Sequence, residues 1–370
     1  MVNTSSGAPL RGIRVVEFAG IGPAPYACML LSDLGADVLR IDRKDAGLFP
    51  IKDAPVERGR RSLLLDLKDT AALDLCLAII GKADVLVEGF RPGVMERLGL
   101  GPEVALSQNP RIIYGRMTGW GQNGPLASTA GHDITYLALT GVLHAIGPAD
   151  GVPVPPLNVI GDMGGGGVFL AMGIMAALLE RQSSGLGQVV DAAIIDGAVS
   201  QLAIILGLRA GGRWDRDRGE NLLDGGAPFY RTYRCADGKF ISVGALEPKF
   251  FAELVQGLGL AVGELAPIQY DRSRWPEMHS TFERVFASRP RDAWAEIFAK
   301  TDACAAPVLD FEEAANHPHN AARSTYLRVG GHLHPAPSPR FSRSRTEAHA
   351  WTSAGSGGEE ALKEWGVTVK

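Results

Sequence analysis

Three carboxylates and an imidazole stand where their types and surroundings could move protons. Gly131-His132-Asp133 opens a helix-like segment and puts an imidazole beside a carboxylate at a helix start. Either side chain can cap a helix, and the positive end of the helix dipole favours the carboxylate. A structural cap therefore accounts for the pair as well as a site does. Residues 161–167 read Gly-Asp-Met-Gly-Gly-Gly-Gly and lead into an apolar helix, Val168 to Arg181. Glycines at a helix start cost about 1 kcal/mol each relative to alanine. Either tight packing demands them or backbone N–H groups must approach a ligand. Asp162, just ahead of the run, would be a carboxylate at a helix N-terminus, suited to act as base or nucleophile. The N–H groups of Asp162 and its glycine neighbours could hold an oxyanion. Glu247, in Gly244-Ala245-Leu246-Glu247-Pro248, is a further carboxylate at a helix start and ordinary when taken alone.

Cations are also placed suggestively. Arg43, Arg58, Arg60, Arg61, Lys68, Arg91 and Arg97 lie near predicted strand ends. Ligands of open α/β sheets bind beyond the carboxyl ends of the strands, so a cluster there suits a phosphorylated ligand; scattered solvated charge is the plainer reading. Gly20-Ile21-Gly22 after a strand, with Asp42 closing the next one, imitates a dinucleotide fingerprint. Pro25 occupies the third glycine position, and Pro23 and Pro25 remove donors a pyrophosphate would use. We therefore read a tight turn without a nucleotide. His317-Pro318-His319 and His332-Leu333-His334 have no cysteine or acid at a metal-site spacing, and no metal is expected.

The elements that must position these groups alternate. Ile13–Phe18, Asp37–Ile41, Asp84–Glu88, Arg111–Tyr114 and Gln188–Ala192 read as strands, several of them continuously apolar. Helical stretches over Tyr26–Leu34, 69–82, 134–146 and 166–181 separate them. This pattern predicts βαβ units and a mostly parallel sheet. The character changes near Gly211, and residues 211–226 suit a linker. A β-hairpin follows with Asp237-Gly238 in its turn, then short helices around 248–257, 276–288 and 291–300. The expected division is a large domain over 1–210 and 330–370 and a small one over 227–329.

Composition narrows the class. The 370 residues carry a formal net charge of −4, which argues against a nucleic-acid partner. The 46 glycines lack a G-X-Y period, so tight turns and close backbone approaches are expected. Four separated cysteines form no CxxC pair and no disulfide framework, which suits a reducing compartment. Residues 1–12 lack an apolar h-region, and the longest apolar run, Val168 to Leu179, is short for a bilayer. The expectation is a cytoplasmic protein without a membrane partner.

Several motifs together resemble the family III CoA-transferase (CaiB/BaiF) superfamily and, within it, the α-methylacyl-CoA racemases. They include Val15-Val16-Glu17, Asp33–Val38, Glu88–Val94, Thr118–Gln122, Gly131–Ile134, Pro156–Asn158, Gly185–Asp191, Asn221–Pro228 and Thr301–Cys304. The resemblance implies an α/β fold, with a Rossmann-like, mostly parallel sheet in a large domain plus a smaller α+β domain. It also implies an interlocked homodimer, with the site between the large domain of one chain and the small domain of the other. His132 and Asp162 would be the two catalytic acid/base groups, Glu247 the partner of the histidine and Asp133 a supporting acid. The CoA contacts implied are Arg43, Leu65, Asp66, Leu67, Lys68, Gly89, Phe90, Arg91, Pro92, Gly93, Arg97, Gly131 and Tyr136. The implied activity is interconversion of (2R)- and (2S)-2-methylacyl-CoA thioesters through an enolate, with no cofactor beyond the CoA of the substrate. The alternative is CoA transfer between carboxylic acids, with Asp162 as the nucleophile.

Overall fold

The apolar strands of the first half assemble side by side. The computed structural model describes residues 7–43 and 54–368. In it Arg14–Phe18 (β1), Asp37–Asp42 (β2), Arg60–Leu64 (β3), Val85–Glu88 (β4), Ile113–Thr118 (β5) and Gln188–Ala193 (β6) form one sheet. Its order is β3-β2-β1-β4-β5-β6, and every neighbouring pair is parallel. Alternate residues point to opposite faces, so two cores result. Val15, Val38, Val85, Val87 and Ile113 face the helices Pro23–Asp33 and Phe169–Ser184. Val16, Leu39, Leu86 and Tyr114 face Thr70–Ile80 and the late helix Gly358–Trp365. Coverage of both faces is why these strands lack a polar side.

β3 corrects the reading of the cations. Arg60 is fully buried and pairs with the equally buried Glu17 of β1 at 2.8 Å. Its remaining donors go to the carbonyls of Val56 and Pro25. Arg58 forks onto Asp33 at 2.9 and 2.5 Å, and Arg61 pairs with Asp37 and Glu364. These three arginines lie at the start of β3, away from the carboxyl ends of the strands, and each is already neutralised. They do not belong to a ligand-binding cluster. The outer edge of β3 is covered by a segment from far along the chain. Ser62 N–H donates to the Ser356 carbonyl at 2.8 Å, Gly355 N–H to Ser62 Oγ at 2.8 Å, and the Thr352 hydroxyl to the Arg60 carbonyl.

The glycine run lies in a π-helix, Val159–Val168, that continues directly into Phe169–Ser184. A Cβ on Gly165 would stand 2.7 Å from the Ala198 nitrogen, on Gly166 2.8 Å from Pro23 Cβ, and on Gly167 2.7 Å from Tyr26 Cδ1. Close packing against Pro23–Asp33 and the helix Ile194–Ser200 therefore explains these glycines. The continuous helix Val159–Ser184 is long and apolar enough to cross a membrane by length and composition alone. Its Leu170, Ala171, Ile174, Ala177 and Leu178 are buried in the sheet core.

The chain divides into two units, one of Met1–Thr140, Leu157–Gln201 and Ala321–Lys370, the other of Gly141–Pro156 and Leu202–Asn320. The stretch expected to be a linker thus lies inside the second unit, which also takes up residues 141–156. In this unit Tyr230–Arg234 (β7), Phe240–Gly244 (β8) and Ala305–Pro307 (β9) form an antiparallel sheet in that order. The β7–β8 turn is the expected one, with Asp237 accepting Lys239 N–H at 3.1 Å and Gly238 at φ 80°. The helices Pro248–Gly257, Trp275–Phe286 and Arg291–Phe298 bury Phe251, Phe282, Phe286, Trp294 and Phe298 against it. A last hairpin, Tyr326–Val329 (β10) with His332–Pro335 (β11), belongs to the first unit.

Candidate active site

The strand order reverses between β1 and β4. Sheets of this order open a crevice at that point, beyond the carboxyl ends of the strands. The loop after β1 contains Gly22, at φ 76°, and a Cβ there would lie 3.5 Å from Asp162 Oδ2. Asp162 therefore stands over the β1 loop, in the first turn of the π-helix.

Four groups converge on Asp162. Asp133 Oδ1 accepts its main-chain N–H at 2.8 Å. Asn158 hydrogen-bonds its carboxylate, and the His132 imidazole acts on it electrostatically. Tyr136 lies within its field as well. Burial pushes the Asp162 carboxyl up to about 6, and the neighbouring Asp133 charge adds to the rise; the Asn158 bond and His132 pull the other way. Burial also raises Asp133, against the pull of the bond it receives from Asp162 N–H. With its carboxyl raised, Asp162 can hold a proton at higher pH than a free aspartate, and the exposed imidazole beside it is a second group of acid/base chemistry.

Local structure fixes His132. Thr135 Oγ1 accepts the His132 N–H at 2.9 Å and donates to its carbonyl at 2.7 Å, closing the start of the helix Asp133–Thr140. The Tyr136 hydroxyl donates to the Gly131 carbonyl at 2.6 Å, and its ring meets Trp120 edge-on at 4.7 Å. A side chain at Gly119 or Gly131 would overlap that ring. The two glycines thus leave room for the tyrosine that holds the residue before His132. The N–H of Asp162, a sequence candidate for an oxyanion donor, is committed to Asp133 and does not serve that purpose.

Several implied CoA contacts share one edge of the sheet. Arg43 follows β2 and sits 5.9 Å from the centre of the Phe90 ring. Leu65, Asp66, Leu67 and Lys68 follow β3, where Leu65 N–H donates to the Asp42 carbonyl and Lys68 N–H to Asp66. Gly89, Phe90, Arg91, Pro92 and Gly93 follow β4, and Gly93 adopts φ 81° before the short helix Val94–Arg97 that carries Arg97. Arg43, Lys68, Arg91 and Arg97 are all exposed. Beneath them Glu88 accepts Phe90 N–H at 2.8 Å and Arg116 Nε at 2.9 Å, and Arg116 reaches on to Glu96 at 2.8 Å. This network was not read from the sequence, and neither was the Asn158 contact, although Pro156-Leu157-Asn158 stood out as a motif. Glu247 lies in the second unit, exposed, at the start of the helix Pro248–Gly257, with Tyr270 and Cys304 in its field. Among the described residues no group of three His, Cys, Asp or Glu side chains could hold a metal ion.

The family model described as CoA-transferase family III matches residues 10–360. The chain belongs to this family. Among family III relatives, a Mus musculus protein named alpha-methylacyl-CoA racemase is 46% identical over 362 residues, 97% of this chain and 94% of its own. An Acetobacter aceti acetyl-CoA:oxalate CoA-transferase is 31% identical over 344 residues, covering 88% and 87% respectively. The crystal structure of Rv3272 from Mycobacterium tuberculosis matches with a TM-score of 0.78 at 27% identity, over 96% of this chain and 99% of that one.

Proposed function

We propose that this protein is a racemase that interconverts (2R)- and (2S)-2-methylacyl-CoA thioesters by two-base proton transfer. The observation that carries this reading is the grouping of His132 and Asp133 around Asp162 beside the loop after β1, with Asp162 raised to about 6. The identity to the mouse racemase, well above that to the oxalate CoA-transferase, supports it.

One of the pair, His132 or Asp162, removes the proton on the carbon next to the thioester. The electron pair moves onto the carbonyl oxygen, which becomes an enolate. The other group delivers a proton to the opposite face, and the pair resets by exchange with solvent. Glu247 from a second copy of the chain orients the imidazole and stabilises its charged form. Asp133 holds the Asp162 backbone and keeps its carboxyl easy to protonate. The cations after β2, β3 and β4 bind the phosphorylated CoA, and no metal or redox cofactor takes part. A homodimer is part of the proposal. Val168, Met172, Met175 and Leu179 form an exposed apolar stripe at helical spacing, and Val189 on the edge strand β6 is exposed as well. A cytoplasmic setting belongs to the same reading.

The test is proton NMR of a pure (2R)-2-methylacyl-CoA with the enzyme in heavy water. Loss of the α-proton signal and appearance of the 2S epimer, with no acyl acceptor present, is the expected result. No exchange, but CoA transfer to an added carboxylic acid, would make Asp162 a nucleophile and the protein a transferase.

A further inference from the structure

The segments that follow β5 and β6 enclose a cavity of about 310 Å³ in the first unit, lined in part by Trp120, Leu126, Leu139, Ile195, Asp196 and Val199. That volume lies at the lower end of the range for small-molecule sites. Local structure builds it. Thr118 Oγ1 accepts the Gly121 N–H at 2.9 Å and turns the chain after β5. The Ile195 N–H donates to the Gly119 carbonyl at 3.3 Å and fastens the helix Ile194–Ser200 to that turn. Ile195 and Val199, one helical turn apart, share a face of this helix. Leu126, Leu139 and Val199 are exposed around the cavity, and an apolar ligand would take that surface out of water.

One helix connects this cavity to the proton-transfer groups. Asp133–Thr140 begins at the Asp133 bond to Asp162 and ends with Leu139 in the cavity wall. Leu139 comes seven residues after His132, roughly 10 Å along the axis at about 1.5 Å per residue. Two turns on, it lies on the same side of the helix. Trp120 meets Tyr136 edge-on and lines the cavity as well. The sheet order sets the cations apart from this apolar surface. Arg43, Lys68 and Arg91 follow β2, β3 and β4, whereas the cavity stands at the β5–β6 end of the same edge. Charge follows the same division. None of the described residues that line the cavity is cationic, and the exposed Asp196 puts an acid at its rim.

We propose that this cavity receives the distal carbons of the acyl chain, and that the preferred substrates are CoA thioesters of longer, uncharged hydrocarbon chains. Leu139 and Val199 set how far the chain reaches. The link to turnover rests on the racemase reading; the binding of the chain does not.

Affinity is the first test, by calorimetry on the full chain with dodecanoyl-CoA and butanoyl-CoA below micellar concentration. Each methylene taken out of water is worth up to about fourfold in affinity. Wild type should therefore bind the longer thioester at least about tenfold more tightly. Val199→Trp fills the cavity from its exposed side, and Leu139→Asp puts a charge in its wall. In each variant the ratio should fall to within about threefold, through loss of affinity for the longer thioester. The ratio of KM values for α-proton exchange of 2-methyldodecanoyl-CoA and 2-methylbutanoyl-CoA should move likewise. A terminal carboxylate, as in dodecanedioyl-CoA, should cancel the advantage in wild type; an equal advantage would overturn the preference for uncharged chains. A wild-type ratio in both variants, or an equal loss for both thioesters in both, would overturn the subsite. A ratio that collapses in the variants of a protein with no α-proton exchange would retain the subsite and overturn the racemase reading.

Discussion

The Asp133 carboxylate accepts the main-chain N–H of Asp162 at 2.8 Å, across 29 residues of sequence. The bond ties the start of the helix Asp133–Thr140 to the first turn of the π-helix. It also sets a negative charge beside the Asp162 carboxyl. A single side chain thus fixes where Asp162 stands and raises the pH at which it ionises.

Asp133→Asn separates these two effects. The asparagine carbonyl still accepts the Asp162 N–H, but the charge is gone. Asp162 should then ionise below about 6, and the acid limb of α-proton exchange should move to lower pH. Carbon-13 NMR of the Asp162 carboxyl measures this directly; an unmoved titration would remove the electrostatic role given to Asp133.

Asp162 should also lower the stability of its own fold at neutral pH. Its folded-state pKa lies above the unfolded value, so the folded protein favours the protonated form. The destabilisation grows as pH rises from about 4 through about 6 and is complete above that. At 1.36 kcal/mol per pKa unit it amounts to at most about 3 kcal/mol. Asp162→Asn should therefore melt higher than wild type at pH 7.5, with the gain shrinking towards pH 4. A constant difference across that range would contradict the assignment.

His132→Ala and Asp162→Asn should each slow racemisation by about 10²- to 10⁴-fold, the usual contribution of one general acid or base. Binding of CoA, followed by calorimetry, should change little. A variant that racemises at the parental rate would show that the missing group is not one of the two bases.

Arg116→Met would leave Glu88 buried without its cation. Loss of one member of a buried pair costs about 3–5 kcal/mol. Because Glu88 also holds the Phe90 N–H, the loop Gly89–Gly93 should loosen. The expected signature is a lower melting temperature together with a higher KM for acyl-CoA and a smaller effect on kcat. A lower melting temperature with KM intact would detach this loop from CoA binding.

Gly165→Ala should destabilise by about 1–3 kcal/mol through overpacking, because its Cβ would meet the Ala198 nitrogen at 2.7 Å. Gly207, in the helix Ala203–Ala210, is the control. A Cβ there meets nothing within 4 Å, so alanine should stabilise by about 0.5–1 kcal/mol. Urea denaturation of both variants checks the contrast.

Much of this architecture was legible. Strands such as Val85-Leu86-Val87 are apolar on both sides because helices cover both faces, and five of the six strands of the sheet, β3 apart, could be read from their local pattern. β3 could not. Arg60 and Ser62 look like surface residues until Glu17 and Ser356, both distant in sequence, are brought to them. The Gly165–Gly167 run was visible as a cost, but which neighbours required it depended on where Pro23, Tyr26 and Ala198 would come. His132 and Asp162 could be named from their motifs. That Asp133 already occupies the Asp162 N–H follows only from the three-dimensional meeting of two helix starts. Residues 141–156 gave no sign of joining the second unit, because that association is made by contacts remote in sequence.

The covering of β3 has a consequence for biosynthesis. Gly355 and Ser62 are bonded across 293 residues, and Leu362 and Trp365 complete a core begun by Val16. At about 5–20 residues per second, the ribosome needs on the order of 15–60 s to deliver the cover after the strand has emerged. Through that interval the nascent chain carries an open sheet edge, the kind of surface on which unwanted strand pairing begins. The growing chain, rather than the finished molecule, is therefore the stage at which this edge is open to such pairing.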